Sequence, residues 1–123
     1  MSVSTIRGSD IPRSPGVYAW FNDGACVYVG MATSLRERLG KHRSFSLDLS
    51  RSTLRASVAV RELGVTRAHA RSRPSVMTQE QVDVVTDWLR GCEIAWLVCD
   101  NTNAADLLER QLRESWMPPI NLA

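Results

Sequence analysis

The sequence has 123 residues, with 44% hydrophobic and 23% charged side chains and a formal net charge of +2, which fits one compact domain with its own core. No apolar run approaches the roughly 20 residues of a membrane span, and no apolar signal segment follows Met1, so we expect a cytoplasmic protein without membrane contact. The three cysteines lack zinc-ligand spacing and argue against a zinc site or a disulfide framework.

The chain opens with a lead-in segment and a predicted hairpin. Residues 1–10 are rich in serine and contain no strong periodicity. We predict strands over residues 16–21 and 25–29, because both stretches are rich in valine and aromatic residues. The Asn-Asp-Gly of residues 22–24 tolerates positive φ and therefore predicts a tight turn between these strands.

Three helices are predicted in the middle of the chain. The first begins at Ser34, which has capping-box spacing to Glu37, and fades near residue 45. The second is expected over residues 52–63 and the third over residues 78–91, each followed by or ending on a glycine. A basic loop is expected between the second and third helices.

A strand and a helix complete the predicted order. Residues 93–99, EIAWLVC, are typical of a strand, and residues 104–116 have helical periodicity. In that helix we expect Leu107, Leu112 and Trp116 to face inward together with Leu108. The order β, β, α, α, α, β, α predicts the α+β class, with a small sheet covered by helices.

Charge is distributed unevenly along the chain. Residues 1–75 contain 12 Lys and Arg against 5 Asp and Glu, whereas residues 76–123 contain 3 against 8. This asymmetry fits a phosphate-facing side opposite an acidic side. It fits equally well a solvated surface on which like charges cluster by chance.

Four side chains capable of phosphate chemistry are predicted to converge near the hairpin. Tyr18 and Tyr28 lie on adjacent predicted strands, and Arg38 and His42 are four residues apart on one face of the following helix. Arginine binds phosphate oxygens, and tyrosine or histidine can hold or deprotonate a water molecule. Glu109, at the edge of the apolar stripe of the last helix, adds a half-buried carboxylate.

The spacing of these residues resembles the GIY-YIG nuclease family. "GVY" at residues 16–18 and "YVG" at residues 28–30 place the two tyrosines ten residues apart, as in that family. The family has an arginine ten residues after the second tyrosine, which corresponds to Arg38. It often has a histidine or tyrosine four residues further on, which corresponds to His42.

The C-terminal part of the chain extends the resemblance. The family has a glutamate in a late helix and an asparagine soon after a proline, and these correspond to Glu109, Pro118 and Asn121. The resemblance implies a single domain over residues 1–123, with residues 1–10 as a lead-in. It also implies a small three-stranded antiparallel sheet flanked by helices.

The resemblance implies a metal-dependent endonuclease that hydrolyses phosphodiester bonds in DNA, with RNA not excluded. Glu109 would bind Mg²⁺ or Mn²⁺ as its direct protein ligand, which suits a cation that retains much of its hydration. Arg38 would bind the scissile phosphate and stabilise the transition state. Tyr18 would position or deprotonate the attacking water, and Tyr28 would assist it or bind phosphate.

Two further residues receive roles from the same resemblance, and one position departs from it. His42 would accept a proton from the tyrosine or contact phosphate, and Asn121 would orient Glu109 or brace the pocket. Many relatives carry a lysine directly after the second motif, where this chain has Met31. That departure keeps an alternative open, namely a weakly active or inactive nucleic-acid-binding module that acts as a subunit of a larger complex.

Cationic residues around the predicted site are expected to contact the nucleic-acid backbone. Such contacts give affinity without sequence specificity. Because the chain has no room for a separate recognition domain, we expect weak specificity, structure-selective cutting, or a protein partner that supplies target specificity. The predicted contact residues are Arg36, Lys41, Arg43, Arg51 and Arg55.

Overall fold

A computed structural model describes residues 1–122 and contains one three-stranded antiparallel sheet. The strands are β1 (Gly16–Asn22), β2 (Ala25–Ala32) and β3 (Glu93–Val98), in the order β2-β1-β3. β1 and β2 form the predicted hairpin, whose turn contains Asp23 with φ of 50° and Gly24 with φ of 77°. The α+β class and the antiparallel sheet are thus confirmed.

Residues 1–122 contain five α-helices, which flank the sheet or pack on other helices. Four of them match the predicted helices to within a few residues, and the fifth is a single turn inside the predicted basic loop. That turn forms because the Thr66 side chain caps it by accepting a hydrogen bond from the backbone N–H of His69. The helices are α1 (Leu35–His42), α2 (Thr53–Leu63), α3 (Arg67–Ala70), α4 (Gln79–Arg90) and α5 (Thr102–Ser115).

The two faces of the sheet pack against different helices. Tyr18 and Trp20 belong to the main core, which also contains buried residues of α1, α2 and α4. Val17 and Val29, on the opposite face, pack with Ala105 of α5 in a second cluster. The alternation of side chains along β1 therefore places Tyr18 on the face opposite Ala105 of α5, although the charge of Glu109, also on α5, still acts on Tyr18.

The prediction that the leucines of α5 face inward is wrong for part of that helix. Leu107 is 58% exposed, Leu112 44% and Trp116 54%. α5 packs on β1 and β2 and leaves the β3 side of the same face open, where Leu97 is 60% exposed. Leu107 points to solvent because it is two residues, about 200°, around the helix from the buried Ala105.

The lead-in segment is part of the packed structure. Ser2 forms a bridge with Glu93 beside β3, and Val3 donates a backbone hydrogen bond to Cys92. Ile6 and Ile11 are buried in the main core, on either side of a 3-10 turn at Gly8–Asp10. In the part of the chain that the structure describes, no helix is both long enough and apolar enough to cross a membrane.

Candidate active site

An imidazole and three aromatic rings form the centre of the site. The ring of His42, at the end of α1, lies 5.4 Å from that of Tyr18, 6.1 Å from Tyr28 and 6.0 Å from Trp20. The two tyrosine ring centroids are 6.3 Å apart. The hairpin register produces this cluster because Trp20 pairs with Tyr28 and Tyr18 pairs with Gly30, one pleat further along.

Hydrogen bonds hold both nitrogens of the buried imidazole. His42 Nε2 and the Tyr18 hydroxyl are 2.6 Å apart, and His42 Nδ1 and Ser52 Oγ are also 2.6 Å apart. The Tyr28 hydroxyl shares a 3.0 Å hydrogen bond with Thr53 Oγ1. The first turn of α2 therefore contacts both sides of the tyrosine–histidine cluster.

Burial determines the protonation state of this cluster. Burial and the neighbouring Tyr28 raise the pKa of Tyr18 well above its ordinary value, so its phenol is neutral near pH 7. Burial, followed by the positive charge of Arg38, lowers the pKa of His42 to about 3, so its imidazole is neutral as well. The hydrogen bond between this neutral phenol and this neutral imidazole therefore places no charge in the core.

Arg38 supplies a positive charge beside this pair. Its side chain is half-buried on α1, one turn before His42. Its charge lowers the pKa of both Tyr18 and His42. Within residues 1–122 its guanidinium has no hydrogen-bond or ion-pair partner, so its five donors are available to an anionic ligand.

Glu109 supplies a nearly buried carboxylate from α5. Its residue is 7% exposed, and Oε1 accepts a 3.2 Å hydrogen bond from Arg113, one turn later. Its negative charge contributes to the raised pKa of Tyr18. The described residues contain no cluster of three or more His, Cys, Asp or Glu side chains that could hold a metal ion, so a cation here would depend on a single carboxylate.

Asn121 braces the outer edge of β2. Its side-chain Oδ1 accepts a 2.9 Å hydrogen bond from the backbone N–H of Val29, and its Nδ2 donates a 2.9 Å hydrogen bond to the carbonyl of Val29. The amide thus replaces a strand partner next to Tyr28 and Gly30. Of the two roles expected for Asn121, this geometry corresponds to bracing.

The predicted nucleic-acid contacts fall into three groups. Lys41 and Arg51 are exposed and line one cavity of about 440 Å³, together with Ser52. Arg36 Nε donates a 2.7 Å hydrogen bond to the carbonyl of Ile11. Like Arg36, Arg43 holds the N-terminal segment, through a hydrogen bond to the carbonyl of Ile6.

Arg55 forms the third group, and for this residue the prediction of a nucleic-acid contact is wrong. It is 1% exposed, so it does not lie on a surface that could contact a nucleic-acid backbone. α2 is covered by α4 on one side and by the C-terminal segment on another, and the Arg55 guanidinium reaches Thr86 of α4 at 3.4 Å. Burial lowers the pKa of Arg55 to about 10.

The sequence matches a family model described as the GIY-YIG catalytic domain over residues 10–123. The chain belongs to the GIY-YIG family. The spacing that suggested this family therefore identified it correctly, and the chain's enzyme class is phosphodiester endonuclease. No curated protein matches the chain in sequence.

The solved structures most similar to this GIY-YIG domain include several of the N-terminal endonuclease domain of UvrC from Thermotoga maritima. One of these, bound to magnesium as its catalytic cation, has 21% sequence identity, covers 98% of this chain and 91% of its own, and has a TM-score of 0.52. A point mutant with tyrosine replaced by phenylalanine, also bound to its catalytic divalent cation, has 25% identity over 92% of this chain and 88% of its own, with a TM-score of 0.50. These likenesses confirm the fold.

Met31, the departure from the family pattern, packs on the sheet face opposite the tyrosines. It pairs with Val17 and lies against the cluster that contains Val29 and Ala105. In this GIY-YIG domain an apolar side chain between the sheet and α5 thus occupies the position where many relatives have a lysine.

Sequence reasoning missed Ser52 and Thr53. Ser52 was expected only as the start of a helix, a role that it fills by accepting a hydrogen bond from the backbone N–H of Arg55. The hydroxyl-rich "SRST" at residues 50–53 was a signal for a helix cap. No local signal indicated that the cap also contacts His42, because that contact depends on the path of residues 43–51.

Proposed function

We propose that this GIY-YIG domain is a divalent-metal-dependent endonuclease that acts on DNA. The observation that carries the proposal is the buried hydrogen bond between Tyr18 and His42, at a phenol whose pKa is influenced by both Arg38 and Glu109. A phenol near enough to both a cation and a carboxylate for each charge to shift its pKa forms a site suited to hydrolysis of a phosphate diester.

Glu109 is the residue that would hold the metal ion. Its carboxylate is nearly buried, and within residues 1–122 only Oε1 accepts a hydrogen bond, so Oε2 is available as a ligand. One carboxylate suits Mg²⁺, which usually keeps several waters and binds substrate phosphate. When bound, the cation would neutralise negative charge on the scissile phosphate and on the leaving oxygen.

The chain's own residues divide the remaining tasks. Arg38 binds the phosphate oxygens and stabilises the additional negative charge of the transition state, because its guanidinium has no partner in residues 1–122. Tyr18 positions the attacking water through its hydroxyl, which stays protonated because burial raises its pKa. Tyr28, held by Thr53, orients the neighbouring phenol or contacts the phosphate.

DNA is the proposed substrate class. Lys41 and Arg51 line the cavity beside α2 and would contact phosphates of the nucleic-acid backbone. Such contacts do not read sequence. The proposal also includes a protein partner that supplies target specificity and a cytoplasmic location.

Plasmid nicking by the wild type and by Glu109→Gln tests the proposed nuclease function and the assignment of Glu109 as the metal ligand. The wild type should relax supercoiled DNA only when Mg²⁺ or Mn²⁺ is added, and Glu109→Gln should lose at least about a hundredfold in rate while still binding DNA. Glu114→Gln, an exposed glutamate on the same helix, is the matched control and should nick like the wild type. Equal nicking by Glu109→Gln would remove the metal assignment. A wild type that binds but never cuts DNA or RNA would favour the non-cutting alternative.

A further inference from the structure

The imidazole of His42 is held between two hydroxyl groups. Nε2 faces the Tyr18 hydroxyl and Nδ1 faces Ser52 Oγ, each at 2.6 Å. All three residues are at most 2% exposed. In a neutral imidazole one nitrogen donates and the other accepts, so the proton position decides which way the Tyr18 hydrogen bond runs.

The role of Ser52 as a helix cap determines which nitrogen of His42 carries the proton. Its Oγ accepts a 3.0 Å hydrogen bond from the backbone N–H of Arg55. Among the hydrogen bonds of residues 1–122, the only acceptor that its own O–H reaches is His42 Nδ1. If Nδ1 carried a proton, the Ser52 O–H would be a buried donor without an acceptor, which is unfavourable. A proton on Nε2 leaves the Tyr18 O–H with an acceptor, because Tyr18 also hydrogen-bonds the Tyr28 side chain, which raises its pKa. The network therefore assigns the proton to Nε2.

We propose that Ser52 is a positioning residue that fixes His42 as the Nε2–H tautomer, so that His42 donates a hydrogen bond to Tyr18 instead of accepting its proton. The role in cleavage rests on the proposed function, but the tautomer does not. The low pKa of His42 agrees with a neutral ring. This proposal differs from the sequence-based expectation that His42 accepts a proton from the tyrosine, and the tautomer distinguishes the two.

This direction of donation has a consequence for Tyr18. Its oxygen accepts from His42, so its own O–H points away from the imidazole, toward the Tyr28 hydroxyl, whose hydrogen bond raises the pKa of Tyr18, or, with substrate bound, toward the attacking water or a phosphate oxygen. Ser52 contacts neither substrate nor water in this scheme and acts only through His42.

The first test is spectroscopic and needs no activity. Long-range ¹H–¹⁵N correlation spectra distinguish the two imidazole tautomers. His69→Gln, a change at an exposed residue, leaves His42 as the only histidine. In this background we expect the Nε2–H pattern at neutral pH, and a mixture of tautomers in Ser52→Gly. A proton on Nδ1, or an unchanged pattern in Ser52→Gly, would overturn the proposal.

The second test measures cleavage. Ser52→Gly removes the hydroxyl but keeps a residue that is acceptable at a helix N-cap, and it should lower the single-turnover rate by roughly 10- to 100-fold without changing DNA affinity. Ser52→Thr keeps the hydroxyl and should restore most of the lost rate and the Nε2–H pattern. Thr78→Gly removes the cap of α4 without contacting His42 and controls for cap loss.

The outcomes separate this inference from the proposed function. An Nε2–H tautomer in a wild type that never cleaves would retain the role of Ser52 and remove the nuclease proposal. If the wild type cleaves DNA and Ser52→Gly cleaves it at the same rate, the nuclease proposal would stand and the role of Ser52 in cleavage would be removed. If Ser52→Gly does not fold, the wild-type and Ser52→Thr spectra still decide the tautomer.

Discussion

The phenol ring of Tyr18 lies directly over the α-carbon of Gly30, its partner in the antiparallel register. A β-carbon built at Gly30 would overlap both the ring and the hydroxyl of Tyr18. The final glycine of "YVG" is thus required by close approach and not by backbone conformation, since positive φ among the glycines occurs at Gly24 and Gly64.

Replacement of Gly30 by alanine should therefore displace Tyr18. We expect Gly30→Ala to reduce the free energy of unfolding by about 1–3 kcal/mol and to slow DNA cleavage more strongly than DNA binding. Chemical denaturation and single-turnover nicking measure the two effects. Gly40→Ala is the matched control, because a β-carbon at Gly40 meets nothing within 4 Å.

The control variant Gly40→Ala is itself expected to change the free energy of unfolding. Gly40 lies inside α1, where alanine is favoured over glycine by about 1 kcal/mol, so Gly40→Ala should stabilise the domain. If Gly30→Ala were as stable and as active as the wild type, Tyr18 would have room to move and its placement over Gly30 would not matter for function.

The low pKa of His42 predicts acid sensitivity. The imidazole has a pKa of about 3 in the folded chain, against an ordinary value of 6.5, so the unfolded chain binds this proton more readily. Between about pH 6.5 and pH 3 the free energy of unfolding should therefore fall as pH falls, by up to about 1.4 kcal/mol per pH unit from this group. Denaturation midpoints measured across that range give the slope.

His42→Gln isolates this contribution. The amide does not titrate, so the variant should be less stable at pH 7 but should lose less stability than the wild type on acidification. His69→Gln, at an exposed position, should keep the wild-type slope. Parallel slopes for His42→Gln and the wild type would mean that the imidazole is protonated equally in both states.

The parts of the site that the sequence predicted depend on local rules. The hairpin followed from residues that accept positive φ, and His42 was placed near Tyr18 by helical spacing after a short connection. Ser52 was missed because its contact with His42 depends on the whole path of the intervening loop. Helical periodicity also failed for Leu112, because a hydrophobic pattern does not encode how much of the helix the sheet covers.

Arg55 illustrates a second limit of sequence patterns. A basic residue near a predicted phosphate site was expected to be exposed, since arginine is rarely buried without a partner. In α2, however, the six consecutive residues from Leu54 to Ala59 are all buried, so both sides of the helix are covered by tertiary packing. A charge count along the chain does not contain that information.

The ion pair between Glu109 and Arg113 should compete with metal binding. Arg113 donates to Oε1 at 3.2 Å and places a positive charge next to the proposed ligand. Pairs of this kind contribute about 0.3–1 kcal/mol, so Arg113→Gln should lower the Mg²⁺ or Mn²⁺ Kd by roughly two- to fivefold. Calorimetric titration of the metal into protein without DNA measures the change.

Arg110→Gln is the appropriate comparison. Arg110 pairs with Asp106 at 2.8 Å, and both side chains are largely exposed, so its loss should leave metal affinity unaltered. Weaker binding in Arg113→Gln would instead mean that Arg113 holds the carboxylate in its binding orientation, and the competition argued above would be wrong.

The exposed pair Lys41 and Arg51 should carry part of the DNA affinity, and the buried Arg55 should carry none. Each phosphate contact removed by Lys41→Ala or Arg51→Ala should reduce the slope of log K against log salt concentration by about 1, and the double variant by about 2.

Arg55→Met is the control, because it removes a positive charge of the same size from a buried position. Fluorescence anisotropy with several unrelated duplexes at three salt concentrations measures the slopes. The weakening should be uniform across sequences, since backbone contacts do not read bases. A salt slope changed by Arg55→Met and not by the two exposed variants would place the DNA on a different face of the domain.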